Sequence, residues 1–201
     1  MAEVVAVVDY GAGNLRSVAN ALAAAGATDV RIASTPADIA AADRIVLPGV
    51  GAFAQCIGAL TAQPGLVAAL ETAVHARAKP FLGICVGMQL LATTGHEHGT
   101  HAGLGWIDGD VTRLAPGADR LKVPHMGWND VHAVDDAVAD GSAYFVHSYR
   151  FVPRNRAAVH AVTDYGQEIA AVVGQRNVTG VQFHPEKSQA YGLAFLRGWL
   201  A

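Results

Sequence analysis

Cysteine is scarce in this chain: two residues in 201, Cys56 and Cys85, far apart. There is no disulfide framework to build from, so stability has to come from a buried core. Charge is scarce too. Charged residues are 15% of the chain and the formal net charge is -3, which gives no electrostatic case for a nucleic-acid partner. No apolar run is long enough to span a membrane. The first run, Val4 to Val8, is too short for a signal peptide and lacks its basic flank. The expected location is the cytoplasm, with no membrane partner. Internal repeats, low-complexity tracts and linkers are also missing. What is present is a chain with 52% hydrophobic residues, long enough to bury a good core as a single domain over 1–201.

The first half alternates between two periodicities. Val4 to Val8 is a continuous apolar run, as expected of a strand buried on both faces. Leu15 to Ala25 has helical spacing and stops at Gly26. Val30 to Ala33 reads as a strand, and Thr35 can cap a helix beginning at Pro36. Arg44 to Leu47 reads as a strand broken by Pro48-Gly49-Val50-Gly51. Helical stretches follow at 52–62 and 66–77. This βαβα rhythm predicts an α/β fold: an open, mostly parallel sheet flanked by helices. The second half predicts shorter, partly antiparallel strands at 106–114, 131–134, 143–152, 158–163, 169–175 and 178–183. Asp164-Tyr165-Gly166 is a hairpin turn signal, and a helix over 190–200 closes the chain.

Two segments carry chemistry. Gly83-Ile84-Cys85-Val86-Gly87 has the form of a nucleophile elbow, with sulfur in place of oxygen. A short apolar run leads into Gly83 and a helix-like stretch begins at Val86, so Cys85 is expected on a tight strand-to-helix turn. There the flanking glycines leave room for strained dihedrals and for substrate, and the positive end of the helix dipole favours thiolate. The second segment is His184-Pro185-Glu186, at the end of another expected strand. An acyl-transfer cysteine needs a base and a group to orient that base, and His184 and Glu186 can supply both. Each motif alone is weak, since buried cysteine usually acts as a small hydrophobe. Their order, cysteine then histidine then acid two residues on, differs from an α/β-hydrolase, and the papain-type signature is absent.

Other features have plainer readings. Gly11-Ala12-Gly13-Asn14 follows the first strand, but Arg16 stands where a dinucleotide fingerprint needs a small residue, and no acid lies near the ribose position. It reads as a tight turn, and no nicotinamide site is expected. Cys56 sits on a helical apolar stripe and reads as core. His96, His98 and His101 lack an evident fourth ligand and read as a solvated loop, so neither a metal nor a cofactor is expected.

These residues together resemble the class I, triad-type glutamine amidotransferases. Beyond the two motifs, the likeness is carried by Asp9 to Leu15, Leu47 to Phe53, Val123 to Asn129, Phe145 to Tyr149 and Gly180 to Ser188, so it covers nearly the whole chain. Small departures touch no triad position: Val86 stands where Leu is commoner, and the segment 94–102 is rich in histidine and short of acid. The resemblance implies a flavodoxin-like form of the expected fold. It also implies glutamine hydrolysis through a thioester on Cys85, with His184 as acid and base and Glu186 as its orienter. Oxyanion donors are expected from Val86 and from the Val50-Gly51 turn. Polar anchors for glutamine are implied at Gly51, Gln89 and the strand His147-Ser148-Tyr149.

Within the family, these segments look like a glutaminase subunit serving histidine biosynthesis. That implies a heterodimer with a (β/α)8-barrel cyclase subunit, which would use the ammonia to convert a phosphoribulosyl aminoimidazole carboxamide nucleotide (PRFAR) to imidazole glycerol phosphate and AICAR. Asn14, Trp128 and Lys187 are the implied interface residues. Three competing readings remain at this point: the glutaminase serving pyridoxal phosphate synthesis, a γ-glutamyl peptidase or hydrolase acting alone, and a non-catalytic binding module.

Overall fold

The computed structural model describes residues 3–115 and 121–201. Its first half runs β1 (Val4–Val8), α1 (Leu15–Ala25), β2 (Asp29–Ala33), α2 (Pro36–Ala41), β3 (Arg44–Gly49), α3 (Phe53–Ala62), α4 (Leu66–Glu71), β4 (Phe81–Cys85) and α5 (Val86–Gln89). Local chemistry accounts for the boundaries. α1 buries Val18, Leu22 and Ala25 on one face and ends at Gly26, whose φ of 117° is left-handed. Thr35 and Asp38 form a reciprocal capping box at the start of α2. α4 continues as a π-helical turn over Thr72–Ala76.

The second half runs β5 (Thr94–Gly95), β6 (His101–Ala102), β7 (Gly109–Arg113), β8 (His125–Ala133), β9 (Gly141–His147), β10 (Tyr149–Pro153), β11 (Val159–Asp164), β12 (Glu168–Gln175), β13 (Val178–Val181) and α6 (Gln189–Leu200). Nine strands among the described residues form one sheet, in the order β2-β1-β3-β4-β13-β12-β11-β8-β9. The half from β2 to β13 is parallel, and the half from β13 to β9 is antiparallel. The antiparallel strands expected in the second half therefore extend the parallel sheet. A smaller sheet, β10-β7-β5-β6, stands beside it.

The strand order reverses at β1, because β2 lies on one side of it and β3 on the other. Right-handed crossovers then send α1 and α2 to opposite faces, and α1 packs against α6 while α2 packs against α4. Loops leaving β1 and β3 diverge, which opens a crevice at the carboxyl ends of the strands. β4 and β13 pair in parallel, with Val181 opposite Ile84, so Cys85 and the segment after Val181 emerge at the same sheet edge. Val5, Val7, Ile45, Leu47, Phe81 and Leu82 are buried in the sheet core.

Three expectations need correction. The expected strand 143–152 is two strands in different sheets, broken at Ser148; alternation of apolar residues runs through the break and hides it. β8 starts at His125, six residues before the strand expected at 131, because its first part buries little and reads as polar. The histidine-rich segment expected as a loop carries β5 and β6, with Gly95 paired to His101. His96 faces Asp110 at 3.6 Å.

Candidate active site

Cys85 is the last residue of β4 and has φ 55° and ψ −111°, a strained conformation for a residue with a side chain. Packing around it holds this geometry. A β-carbon on Gly83 would lie 2.6 Å from the carbonyl oxygen of Gly87, and one on Gly87 would lie 1.9 Å from that of Leu47. A β-carbon on Gly180 would meet Met88 at 2.7 Å. The glycines of the motif are therefore needed where α5 presses onto β3, β4 and β13. α5 itself begins at Val86 as expected but is a single turn of four residues, and so gives little dipole to the thiol.

The chain after β13 brings His184 and Glu186 to the same place. His184 Nδ1 lies 2.8 Å from Glu186 Oε1, and both side chains are buried. The backbone is held as well. His184 N–H donates to Tyr144 O at 2.9 Å, and Ser188 Oγ donates to His184 O at 2.7 Å. Burial alone would lower the His184 pKa, but hydrogen bonding and charge from Cys85 and Glu186 outweigh it and raise the pKa from 6.5 to about 9. A cavity of about 310 Å³ opens over this group, with Cys85, His184, Gln89, His147 and Val50 in its wall. A larger cavity, about 830 Å³, lies between α6, β12 and the loop before β9, and none of the three motif residues lines it.

Two glutamines support the sulfur. Gln89 Nε2 donates to Tyr149 O and to Gln182 Oε1, both at 3.0 Å. That fixes the Gln182 amide so that its Nε2 donates to Cys85 Sγ at 3.7 Å. Both donors of Gln89 are used internally, so its free oxygen is what it can offer a ligand. Gln182 is fully buried and stands two residues before His184, which is the signal by which it could have been found.

A histidine pair braces the cavity wall. His147 Nδ1 must donate to Tyr149 O at 2.8 Å, because a carbonyl only accepts. In a neutral ring its Nε2 then accepts from His125 Nδ1 at 2.9 Å, and His125 Nε2 accepts from Asn129 Nδ2 at 3.2 Å. Burial lowers both pKa values to about 4, consistent with two neutral imidazoles. The chain of bonds fixes the break at Ser148, where the backbone leaves one sheet for the other and lays His147, Ser148 and Tyr149 along the cavity.

Val50 and Gly51 line the same cavity beside Val86. Gly51 has φ 101°, a left-handed conformation, and Val50 is 44% exposed. Glu97 also lines it, and its carboxylate accepts from Phe53 N–H at 2.7 Å. Sequence reasoning missed Glu97, since it lies in a segment read as short of acid. Of the implied interface residues, Asn14 is exposed at the start of α1. Trp128 packs edge-on to Tyr144 at 6.1 Å, and Lys187 Nζ lies over the same ring at 5.8 Å. Among the described residues no group of three or more metal-capable side chains comes together, and no single helix is long and apolar enough to cross a membrane.

A buried cysteine on a strained strand-to-helix turn, facing a histidine–glutamate pair at one edge of a flavodoxin-like sheet, defines a class of protein. The family described as "Glutamine amidotransferase class-I" matches residues 6–197, and the chain belongs to that family. Among curated proteins it is 55% identical over 201 residues to "Imidazole glycerol phosphate synthase subunit HisH" of Zymomonas mobilis subsp. mobilis, covering 98% of this chain and 94% of that protein. It is 48% identical to the subunit of the same name from Rhodospirillum rubrum, covering 98% and 97%. Solved structures share the fold: one described as a glutamine amidotransferase has TM-score 0.77 at 19% identity, covering 98% of this chain and 99% of the other. PurLQS from Thermotoga maritima has TM-score 0.74 at 19% identity, covering 99% and 95%.

Proposed function

We propose that this chain is the glutaminase subunit of imidazole glycerol phosphate synthase, acting in histidine biosynthesis as one amidotransferase unit over its whole length. The relatives at 55% and 48% identity carry that name. The observation that best supports the chemistry is the strained Cys85 turn beside the His184–Glu186 pair. The Cys85 thiolate attacks the carboxamide carbon of L-glutamine. His184, protonated near neutral pH, gives its proton to the departing amine; the C–N bond breaks, and ammonia and a γ-glutamyl thioester remain. His184, now neutral, takes a proton from water as the water attacks the thioester. Glutamate leaves, and the sulfur and imidazole return to their first state. Glu186 holds the imidazole in one tautomer and stabilises its cation.

The oxyanion of each tetrahedral intermediate needs backbone donors, which Val86 and the Val50-Gly51 turn supply. One such donor is commonly worth about 2.7–4 kcal/mol. Gly51 and the His147-Ser148-Tyr149 edge anchor the substrate's polar end, and Glu97 and the free oxygen of Gln89 suit its ammonium group. Ammonia in neutral water is mostly ammonium and cannot act as a nucleophile, so a protected passage to an acceptor is required. The acceptor is a (β/α)8-barrel cyclase subunit, docked in the cytoplasm as a heterodimer over Asn14, Trp128 and Lys187. It converts PRFAR to imidazole glycerol phosphate and AICAR.

The test uses Cys85→Ala in the complex. Glutamine-dependent synthesis should be lost and ammonia-dependent synthesis kept, because the acceptor site lies on the partner. Loss of both would make Cys85 structural. A glutamine-mimicking electrophile should label Cys85 and spare Cys56 by mass spectrometry; equal labelling would count against the reading.

A further inference from the structure

Two buried side chains with no part in this chemistry lie beneath the turn after β3. Tyr10, in the loop after β1, donates its hydroxyl to Pro48 O at 2.9 Å. Cys56, in the first turn of α3, donates its thiol to Val50 O at 3.3 Å. Each is 1% exposed. Burial is the main cause that raises the pKa of each above its ordinary value. Both keep their protons at neutral pH and remain donors.

The two accepting carbonyls belong to the residues on either side of Gly49. A peptide unit is planar, so pinning its carbonyl fixes the orientation of its N–H. The Pro48–Gly49 and Val50–Gly51 peptides are held in this way. The Gly49–Val50 peptide between them has no side-chain tether among the described residues, and it carries the N–H of Val50. It also stands at the nucleophile. Gly49 pairs with Cys85 in the β3–β4 ladder, and a β-carbon on Gly49 would lie 2.6 Å from Gly87 N.

We propose that Tyr10 and Cys56 are positioning residues for the oxyanion turn: together they anchor both ends of the Gly49–Val50 peptide, so that its N–H can reach the oxyanion formed when Cys85 adds to the carboxamide. This rests on the thioester reading above. Cys56, which the sequence presents as core, thus contributes a donor that an apolar residue of similar size would lack. Without the two anchors, the ladder pairing of Gly49 with Cys85 is left to hold this stretch alone, and the productive arrangement becomes a smaller fraction of the population.

The test uses the complex with its cyclase subunit and three variants. Tyr10→Phe removes only the hydroxyl, Cys56→Ala removes the thiol, and Cys56→Ser keeps a donor. Tyr10→Phe and Cys56→Ala should each lower kcat for glutamine about tenfold, with KM within about twofold, because the lost contact matters only when the oxyanion forms. Cys56→Ser should recover most of the loss. Alkylation of Cys85 by iodoacetamide, followed by mass spectrometry, should run at the parental rate, since it forms no oxyanion at an acyl carbon. Ammonia-dependent synthesis should be unchanged, which reports a folded complex.

Unchanged kcat in both deletion variants would overturn the proposal. So would a parallel loss in kcat, KM and alkylation rate, or Cys56→Ser as poor as Cys56→Ala. If Tyr10→Phe fails to fold, the comparison of the two Cys56 variants decides alone. A parent complex that neither hydrolyses glutamine nor labels at Cys85 would sink the thioester reading and the anchoring role with it; an active parent with indifferent variants would sink only the anchoring role.

Discussion

The α-carbon of Gly87 sits so close to Leu47 that a β-carbon there would lie 1.9 Å from the Leu47 carbonyl oxygen. This single approach lets α5 lie flat on the sheet and puts Cys85 at its edge. The contact is with backbone, which cannot swing aside. Gly87→Ala should therefore destabilise the fold by about 3 kcal/mol or more and remove glutamine hydrolysis. Gly58, exposed in α3 with nothing within 4 Å of its would-be β-carbon, is the control: Gly58→Ala should stabilise by about 0.4–1 kcal/mol. Urea unfolding curves for the two variants check both signs.

Glu186 Oε1 lies 2.8 Å from His184 Nδ1, and in the proposed reaction it supports the charge that His184 carries. Glu186→Gln keeps the size and a hydrogen-bonding group but loses that charge. Turnover should fall by about a hundredfold or more, with a smaller rise in KM. Steady-state kinetics on the complex measure the split, and unchanged turnover would leave Glu186 a structural role only.

The histidines give the fold a stability maximum. The folded pKa of His184 is raised to about 9 from 6.5. Its contribution is fully present below pH 6.5 and is lost as pH rises through about 9. His125 and His147 are lowered to about 4. Their contribution is present above pH 6.5 and is lost as pH falls through about 4. Stability should peak near pH 6.5, each group adding up to about 1.4 kcal/mol per pH unit to the slope on its side. Cys85→Ala removes one of the partners that raise His184, so the alkaline decline should still begin near pH 6.5 but end at lower pH and be smaller. Denaturant unfolding across pH 4–9 gives the profile, and imidazole NMR of His184 gives the midpoint directly.

Val50 lies at the surface between two glycines, and the Gly49–Val50 peptide can turn at modest cost. In the free chain the unproductive orientation should dominate, so glutamine hydrolysis should be feeble. The cyclase subunit with nucleotide bound should stimulate turnover strongly. A thousandfold activation would require about 4 kcal/mol of differential binding to the productive state. Assays of the single chain with and without liganded partner decide this. A free chain already at full rate, and indifferent to the partner, would rule out gating while leaving the triad assignment intact.

Much of this was written in local sequence. The buried run Val4–Val8, the Thr35–Asp38 cap and the Gly26 stop define elements by interactions among near neighbours, so they are legible without the rest of the chain. The glycine-flanked Cys85 and the His184-Pro185-Glu186 segment were legible too, because strained turns and triads demand particular residue types. Tertiary structure alone decided what depends on contacts between distant segments. The break at Ser148 was hidden, since alternation is the same whether a strand stays in one sheet or changes to another. Glu97 reaches the site from a segment whose sequence announces no such role, and the bond from Gln182 to the Cys85 sulfur appears only once β13 lies beside β4. Cys56 looks like core by its stripe, and is buried as core should be, yet its thiol meets the Val50 carbonyl only because α3 folds back under the turn that precedes it. A sequence specifies which groups a chain can present; the parallel register of β4 with β3 and β13 specifies which of them meet.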